Sequence, residues 1–277
     1  MKIDRNTVAV VTGAASGIGR ALAIRLAAEG AQLAISDVNQ NGLEETAQLA
    51  LKQATNPDVK ISTHVVDVSD RERMQAFVQE VLAEHGRAHL VINNAGVGLG
   101  GTTEELAIED YEWLLGINLW GVIYGTKLFL PILRQQPRGH IVNISSVFGI
   151  IAPPGHSAYA TSKFAVRGFT ESLRHELKGS SITITSVHPG GIRTNIARNA
   201  RVGAGVDPSV VEREIQFFDQ VAKTLPETAA DVIVRGVLND KEKVLIGSDA
   251  WLIDKIQRLM PIRYWNVLEK MLEKMAQ

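Results

Sequence analysis

Residues 8–23 read VAVVTGAASGIGRALA, and this stretch decides the fold class. An apolar run of strand length, Val8–Thr12, leads directly into a turn that contains Gly13, Gly17 and Gly19. A pattern typical of an amphipathic helix follows the turn. Glycines between a buried strand and a helix permit a tight turn and let the backbone approach a pyrophosphate at the helix N-terminus. The stretch therefore predicts the strand-turn-helix unit that opens a nucleotide-binding α/β fold.

Apolar runs of strand length alternate with helical patterns along the rest of the chain. The predicted strands are Val8–Thr12, Gln32–Asp37, Lys60–Asp67, His89–Asn93, His140–Ser145, Ile182–Val187 and Val244–Gly247. The predicted helices are Gly17–Gly30, Gly42–Gln53, Asp70–His85 with Ser69 as its cap, Glu104–Leu133 and Ser157–Leu177. This alternation predicts a doubly wound parallel sheet of about seven strands with helices on both faces, a Rossmann fold. Without an internal repeat or a linker, residues 1–250 are interpreted as one domain.

Composition narrows the class of protein. The chain has 277 residues, of which 45% are hydrophobic and 21% charged, and its net charge is −1. Near-neutral charge without basic clusters argues against a nucleic-acid partner. The chain has no cysteine, so neither a disulfide framework nor a thiolate site is expected, which fits a reducing compartment. No signal peptide, no uninterrupted apolar run long enough to span a membrane and no metal site are expected. These features predict a soluble, cytoplasmic protein.

Asp37 carries the prediction about the nucleotide. It closes the second predicted strand, about twenty residues beyond the glycine turn, where a carboxylate can accept both ribose hydroxyls of an adenosine. Val38, which follows it, brings no positive charge for a ribose phosphate. These two residues favour NAD over NADP. A solvated loop acid is the alternative for Asp37.

Residues 145–163, SSVFGIIAPPGHSAYATSK, hold the candidate chemistry. Tyr159 follows Ser146 by thirteen residues and precedes Lys163 by four, so the tyrosine and the lysine share one face of a helix. An ammonium about 6 Å away is expected to lower the pKa of the phenol by about two units. Tyr159 then exchanges a proton with an alcohol or carbonyl while Ser146 orients the same oxygen. From this stretch alone, an ordinary amphipathic helix with a surface Tyr–Lys pair is the favoured interpretation.

Three further stretches end predicted strands at the same edge of the sheet. Asp67 suits contact with an adenine edge, or a helix-capping role. The sequence 93–96, Asn-Asn-Ala-Gly, follows the fourth strand, where the strand order should reverse and a cofactor would lie, although its asparagines also suit tying the loop to the sheet. Pro189-Gly190 suits a close approach under a nicotinamide, with Thr194 as a nearby donor, or a plain turn.

Taken in order, TGAASGIG, NNAG, Asn118, Ser146, Tyr159-x-x-x-Lys163 and Pro189-Gly190 resemble the short-chain dehydrogenase/reductase family over roughly residues 6–250. The resemblance implies that Tyr159 is the acid–base and that Ser146 holds the substrate oxygen. It implies that Lys163 lowers the tyrosine pKa and binds the nicotinamide ribose, while Asn118 positions a water beside the lysine. The spacing to Tyr159 favours Ser146 over Ser145 as the catalytic serine.

The same resemblance implies a cofactor, a reaction and an assembly. The residues that it assigns to NAD are Gly13, Ser16, Gly17, Ile18, Gly19, Asp37, Asp67, Val68, Asn94, Ala95, Gly96, Tyr159, Lys163, Pro189, Gly190, Ile192 and Thr194. The expected reaction is hydride transfer between NAD and a secondary alcohol or ketone, in a homodimer or homotetramer. An acyl-thioester ketoreductase and a non-catalytic NAD-binding sensor or scaffold protein are the alternatives.

A substrate lid is expected at about residues 191–225. Its inner face is predicted to be apolar, with Ile215, Phe217, Phe218 and Val221. The opposite wall is predicted from Val147, Phe148, Ile150, Ile151 and His156, and the entrance from Val97 and Leu99. Because no arginine pair faces this pocket, with Arg193 and Arg198 placed on the surface, the substrate is expected to be an uncharged, rather apolar alcohol or ketone.

Residues 251–277 depart from the pattern of the family as an amphipathic helical extension. One apolar set comprises Trp251, Ile256, Leu259 and Met260; after Pro261, a second comprises Trp265, Leu268, Met271, Leu272 and Met275. A helix pair packed on its own or a partner subunit is the favoured interpretation. Attachment to a lipid surface, or a cover over a lipophilic substrate, remains open because Lys255, Arg258, Arg263, Lys270 and Lys274 permit it.

Overall fold

A parallel seven-stranded sheet forms the centre of the protein in the computed structural model, which describes the backbone of residues 1–276 and the side chains of residues 1–271. In chain order the strands are β1 (Val8–Thr12), β2 (Gln32–Asp37), β3 (Ile61–Val65), β4 (Leu90–Asn93), β5 (Leu99–Gly100), β6 (Gly139–Ile144), β7 (Ile182–Pro189), β8 (Arg201–Val202) and β9 (Lys243–Ile246). The sheet order is β3-β2-β1-β4-β6-β7-β9, and β5 pairs separately with β8. The predicted doubly wound parallel sheet is confirmed.

Helices cover both faces of this sheet. In chain order they are α1 (Gly17–Ala28), α2 (Gln40–Gln53), α3 (Arg71–His85), α4 (Ile108–Leu115), α5 (Gly121–Leu133), α6 (Ser157–Glu176), α7 (Pro208–Val221), α8 (Pro226–Leu238), α9 (Ser248–Leu259) and α10 (Tyr264–Ala276). Ala9 and Val11 of β1 pack into the layer that contains α1 and α8. Val10 points into the opposite layer, with Phe77 of α3 and Phe129 of α5. Because β1 is buried on both faces, its sequence is continuously apolar rather than alternating.

The order of the strands positions the functional edge. The chain builds β2 and β3 on one side of β1, and β4 and β6 on the other side, so the strand order reverses between β1 and β4. A ligand crevice forms at the carboxyl ends of the strands at such a reversal. Thr12, at the end of β1, accepts hydrogen bonds through Oγ1 from the backbone N–H groups of Asn94 and Ala95, both at 3.0 Å. The loops after β1 and β4 are therefore joined at the predicted nucleotide site.

One predicted helix cap and one predicted helix start are wrong, whereas the other predicted bounds lie within two residues of the observed ones. Asp70, not Ser69, caps α3, because its Oδ1 accepts from the backbone N–H groups of Glu72 and Arg73. The long helix starts at Ile108 rather than Glu104, and a π-helical turn at Gly116–Trp120 separates its two parts.

The helical run 108–133 is, within the described residues, long and apolar enough to cross a bilayer by length and composition, which the sequence analysis did not expect. Val122, Phe129 and Leu133 of this run are nevertheless buried inside the protein. Phe129 stacks edge-on against Phe77 of α3, with ring centroids 5.9 Å apart. One side of the run thus belongs to the core of the domain, as in a helix whose apolar stripe packs on a sheet.

The C-terminal helices pack on the chain itself. Leu268 of α10 is buried with Ile150 and Ile151, and Ile256 of α9 packs against this group. The hydroxyl of Tyr264 accepts from the backbone N–H of Ala152 at 3.2 Å. Leu259 and Met260, predicted to be part of an apolar contact, are instead exposed. Leu272, Lys274 and Met275 lie outside the described side chains.

Candidate active site

The glycine turn after β1 leaves no room for side chains. Gly13 and Gly17 have φ values of +66° and +53°, a backbone conformation that favours glycine. A Cβ added to Gly13 would lie 2.7 Å from the Cα of Ala95, and one added to Gly19 would lie 2.0 Å from the carbonyl oxygen of Gly13. The start of α1 thus presses against the turn, with Ser16 exposed and Ile18 half-buried beside it. The result is a bare backbone cradle at a helix N-terminus, the arrangement that suits a pyrophosphate.

Asp37 lies directly beside this cradle. Its Oδ2 accepts from the backbone N–H of Ala15 at 3.0 Å, and its Oδ1 accepts from Asn39 at 3.0 Å. Both bonds hold the carboxylate at the carboxyl end of β2, next to the exposed Val38. The position predicted for a ribose-binding acid is therefore occupied by a fixed carboxylate.

Arg20, in the first turn of α1, is held against the protein rather than extended into solvent. Its guanidinium donates to the carbonyl oxygen of Ala15 at 2.6 Å and to Oγ1 of Thr46 at 3.0 Å. The same group pairs with Glu45 of α2 at 2.6 Å. Arg20 therefore fastens α2 to the glycine turn, and its charge is balanced by Glu45.

Asp67 is an exposed turn residue, and Val68 is buried beside it. Oδ1 of Asp67 accepts from the backbone N–H and the hydroxyl of Ser69, at 2.9 and 2.7 Å. Asp67 thus holds the turn that precedes α3, which is close to the capping role given as its alternative, although the residue that caps the helix is Asp70. Val68 contacts Gly121, where an added Cβ would lie 2.7 Å from Cγ2 of the valine. The loop after β3 is thereby held against α5 at the edge of the crevice.

The asparagines after β4 tie the loop to the sheet. The Nδ2 of Asn94 donates to the carbonyl oxygens of Thr12 and Gly13, at 2.9 and 3.0 Å. Asn93 is buried and donates to Asn143 of β6 at 2.8 Å. Gly96 then passes close to the catalytic candidates, because a Cβ added there would lie 3.4 Å from Nζ of Lys163.

Asn118 lies in the π-helical turn and is completely buried. Its Oδ1 accepts from the backbone N–H of Val97 at 2.9 Å, while its Nδ2 donates to the carbonyl oxygen of Val97 at 3.0 Å and to Oγ of Ser162 at 3.3 Å. A π turn within a helix often marks a functional site. The resemblance assigns Asn118 to a water; the structure shows its amide fixing the loop after Gly96 against α6.

Ser146, Tyr159 and Lys163 come together at the carboxyl end of β6. Burial raises the pKa of Tyr159 to about 12, and a hydrogen bond with the Ser146 side chain opposes that rise. Nζ of Lys163 lies 5.5 Å from the centre of the tyrosine ring and donates to the carbonyl oxygen of Ile144 at 3.2 Å. Burial also lowers the pKa of this lysine to about 8. The serine, phenol and ammonium thus lie together, with the lysine buried and the serine and tyrosine half-buried.

The predicted lowering of the tyrosine pKa is not observed in the protein alone. Removing a phenolate from water disfavours its charge, and this burial is the largest influence on the pKa of Tyr159. Ser145 has a different task from its neighbour, since its hydroxyl donates to the carbonyl oxygen of Lys163 at 2.8 Å and is buried. Ser145 therefore fixes α6 to β6, while Ser146 faces Tyr159.

The loop after β7 meets the glycine turn. The backbone N–H of Gly190 donates to Ile246 of β9 at 2.9 Å, which continues the sheet beyond Pro189. Ile192 is buried, and Thr194 approaches Gly17, where an added Cβ would lie 3.1 Å from Cγ2 of the threonine. The residues predicted to hold a nicotinamide therefore lie next to those predicted to hold a pyrophosphate.

Sequence reasoning missed two residues that support this site. Asp249 of α9 lies against Gly190, where an added Cβ would be 2.0 Å from Oδ2. His188 is buried under Ser146; its Nδ1 lies 3.0 Å from the Ser146 carbonyl oxygen, and its Nε2 lies 2.9 Å from Oγ of Ser186. Because a carbonyl oxygen only accepts, Nδ1 carries the proton. In the sequence, only the paired glycines at 190 and 191 indicated that another residue lies close to this loop.

The lid differs from its predicted form. Helix α7 has no buried residue, and Phe217 is 38% exposed rather than directed inward, while Ile215, Phe218 and Val221 are half-buried. A cavity of about 630 Å³ lies between α7 and the preceding loop, bordered by Arg198 and Asp219, and not at Tyr159. The inward face of α7 is therefore only partly covered by the protein itself.

The opposite wall is also smaller than predicted. Ile150 and Ile151 are buried against the C-terminal helices and do not line a substrate pocket. Phe148 and His156 remain beside the reacting phenol, with the Phe148 ring 5.9 Å from Tyr159 and 5.2 Å from His156. At the entrance, Leu99 is buried with Val97 packed against the same group.

Comparison with known proteins agrees with this geometry. The family model for short chain dehydrogenases matches residues 7–204. This chain belongs to the short-chain dehydrogenase/reductase family. The protein SadH of Mycobacterium tuberculosis is 46% identical over 264 residues, which are 94% of this chain and 93% of SadH. Levodione reductase of Leifsonia aquatica is 36% identical, over 84% of this chain and 87% of its own.

A solved structure of a family member from Burkholderia phymatum, in complex with NAD, superposes with a TM-score of 0.84 at 30% identity. The superposition covers 93% of this chain and 94% of that one. The fold and the oxidoreductase family of the protein are thus shown by its sequence and its structure together.

Proposed function

We propose that this protein transfers hydride between NAD and a secondary alcohol or ketone of apolar character. The observation that carries the proposal is the meeting of Ser146, Tyr159 and Lys163 beside the crevice at the strand reversal. A protein that only sensed or displayed a nucleotide would have no use for an acid–base phenol at that position. The Burkholderia relative, whose structure contains NAD, supports the same choice of cofactor.

The residues present fit a dinucleotide. Gly13, Gly17 and Gly19 form a cradle that a Cβ would fill, and Asp37 offers a carboxylate beside it. Lys163 and the loop 189–194 would hold the nicotinamide end. When bound, NAD supplies the hydride acceptor together with the positive charge of its oxidised ring. The exposed Val38 offers no partner for a further phosphate, which supports NAD over NADP.

Each side chain of this site has a separate role in the transfer of the proton. During oxidation, Oη of Tyr159 accepts the hydroxyl proton of the alcohol; during reduction, it returns a proton to the carbonyl oxygen. Oγ of Ser146 donates a hydrogen bond to that same oxygen and orients it. The ammonium of Lys163 favours the phenolate, in opposition to its burial. Phe148 excludes water from one side of the phenol.

The apolar character of the substrate rests on the walls of the crevice. Phe148 packs on the phenol, and the half-buried Ile215, Phe218 and Val221 offer apolar surface on α7 of the lid, whereas Arg198 is paired with Asp219 and Arg193 is exposed. Neither of these two arginines is thus placed to bind a carboxylate or a phosphate of the substrate.

Oxidation rates across secondary alcohols of increasing chain length, with NAD and with NADP, test the proposal. We expect turnover with NAD and a kcat/KM that rises with chain length, because added methylenes are transferred from water to an apolar wall. Acyl thioesters are included as competing substrates for reduction. Preferred reduction of a thioester with NADPH would replace the proposal with the ketoreductase alternative, and nucleotide binding without turnover of any substrate would favour a sensor.

A further inference from the structure

An exposed apolar corner joins α9 to α10. Residues 258–263 read RLMPIR, so that an apolar tip is bracketed by two arginines. Leu259 is 81% exposed and Ile262 is 92% exposed. Burial of one such side chain changes a partition equilibrium by at least about tenfold. Two strongly exposed aliphatic residues three positions apart therefore make this corner a candidate contact surface.

The outer face of α9 continues the corner. At 3.6 residues per turn, Leu252, Lys255 and Leu259 fall on one side of the helix. Trp251 lies next to this line, 54% exposed, with Nζ of Lys255 3.7 Å from the centre of its ring. Asp254 points the other way, is buried, and binds Lys243 at 2.5 Å. We call residues 258–263 together with Trp251, Leu252 and Lys255 the α9–α10 tip.

The charge of this region is positive although the whole chain has a net charge of −1. Between Trp251 and Met271 the cations are Lys255, Arg258, Arg263 and Lys270, and the acids are Asp254 and Glu269. Asp254 is buried and paired with both Lys243 and Arg258, so it adds little negative charge to the surface, and the guanidinium of Arg258 remains 64% exposed. Aliphatic and tryptophan side chains flanked by exposed cations match the apolar interior and the anionic headgroups of a lipid surface.

We propose that the α9–α10 tip binds an anionic lipid surface. A second copy of the chain is the weaker candidate, because a twofold interface brings the same patch of both copies together. Lys255, Arg258 and Arg263 would then face their own equivalents, which costs free energy. An anionic lipid surface instead pairs with these cations and buries Leu259 and Ile262 at the same time.

The position of the tip relates the lipid surface to the active site. Tyr264 and Leu268 of α10 hold the segment 147–152, through the Ala152 hydrogen bond and the contact with Ile150. That segment carries Phe148, whose ring packs on Tyr159. The wall of the proposed substrate crevice thus rests on the helix that begins at the tip. The binding proposal nevertheless goes beyond the proposed reaction and stands without it.

Sedimentation with lipid vesicles tests the proposal on the full chain. One vesicle preparation is phosphatidylcholine alone, and the other mixes phosphatidylcholine with phosphatidylglycerol in equal parts. We expect the protein to sediment with the mixed vesicles only, and less so as salt is raised. The double variant L259S/I262S should weaken binding by at least about tenfold. The variant R258Q/R263Q should weaken it by about fivefold for each arginine removed.

A matched control uses exposed residues of the same types on α2, away from the tip. The variants Leu51→Ser and Lys52→Gln should bind the mixed vesicles as the unmodified protein does. Protein that stays in the supernatant with the mixed vesicles overturns the proposal. So does binding that L259S/I262S leaves unchanged. The unmodified protein could instead fail to bind vesicles while the L259S/I262S variant has a lower oligomer mass in analytical ultracentrifugation. In that case the tip is a contact between copies, and the proposal is wrong.

Discussion

Asp249 of α9 accepts a hydrogen bond from the backbone N–H of Gly191 at 2.7 Å, across 58 positions of the chain. This contact fixes the loop proposed to hold the nicotinamide end of the cofactor. On its other side the loop is bound to Thr224, at the end of the lid. The carbonyl oxygen of Thr224 accepts a hydrogen bond from the backbone N–H of Arg193 at 2.8 Å. The loop is therefore held between the lid and the C-terminal helices.

Replacement of Asp249 by alanine should weaken NAD binding more than it changes the KM for the alcohol. A hydrogen bond to a charged group is worth about 1.5–3 kcal/mol, so we expect a rise of at least about tenfold in the KM for NAD. Asp249→Asn keeps an acceptor oxygen and should recover most of the affinity. Asp58→Ala, at an exposed loop residue, serves as the control. An unchanged KM for NAD in Asp249→Ala would show that the loop does not depend on this carboxylate.

The glycine cradle predicts opposite effects for two glycine-to-alanine changes. In Gly19→Ala the new Cβ meets the carbonyl oxygen of Gly13, so α1 must shift. Such overpacking costs about 1–3 kcal/mol of unfolding free energy, and NAD affinity should fall with it. In Gly168→Ala no atom lies within 4 Å of the new Cβ on α6, and the change should stabilise the protein by about 0.5–1 kcal/mol. Urea unfolding and NAD titration measure both; NAD binding by Gly19→Ala equal to that of Gly168→Ala would rule out the cradle.

Asp37 should determine the choice between NAD and NADP. A ribose phosphate of about −2 charge, roughly 5 Å from this carboxylate at a dielectric of about 40, is repelled by about 3 kcal/mol. This corresponds to about a hundredfold preference for NAD. Asp37→Ala should reduce that preference in kcat/KM measured at fixed substrate and salt. Equal or better use of NADP by the unmodified protein would contradict the assignment of Asp37 to the ribose.

Two buried histidines should make stability depend on pH. Burial lowers the pKa of His140 to about 3 and that of His188 to about 4, from an ordinary value of 6.5. The unfolded chain therefore binds more protons between these values, so stability is fully present above pH 6.5 and is lost as the pH falls towards the folded pKa. Within that window each histidine contributes a slope of about 1.4 kcal/mol per pH unit.

Urea unfolding across this pH range measures the slope. The variant His140→Gln removes one of the histidines whose pKa is lowered and should show a shallower dependence than the unmodified protein. An unfolding free energy that stays constant from about pH 7.5 to about pH 5 would contradict the burial of neutral histidines.

Local sequence patterns predicted the sheet and most of the positions at its edge. Buried parallel strands are continuously apolar, and the glycine turn together with Asp37 marks the reversal of strand order, so these features are visible without a structure. The relation of Tyr159 to Lys163 follows from one turn of helix. The direction of the tyrosine pKa did not follow, because it depends on burial by residues distant in the chain.

Contacts between distant segments explain the other differences. Asp249 reaches Gly191, and Ile150 packs against Leu268, through the placement of whole helices, which no local period records. The π turn around Asn118 has no recognisable sequence pattern in a single chain. The ion pair between Arg20 and Glu45 joins two different helices, so no local pattern indicates it.

Turnover by Tyr159→Phe tests the central claim most directly. The change removes one oxygen from a side chain on α6, so folding and NAD binding should be retained, as titration with NAD and urea unfolding would show. Oxidation of a secondary alcohol with NAD should fall by at least about 10²–10⁴-fold, because general acid–base catalysis by the phenol is lost. A variant that retains more than about a tenth of the unmodified rate would have lost much less activity than this. That result would contradict the assignment of Tyr159 as the acid–base.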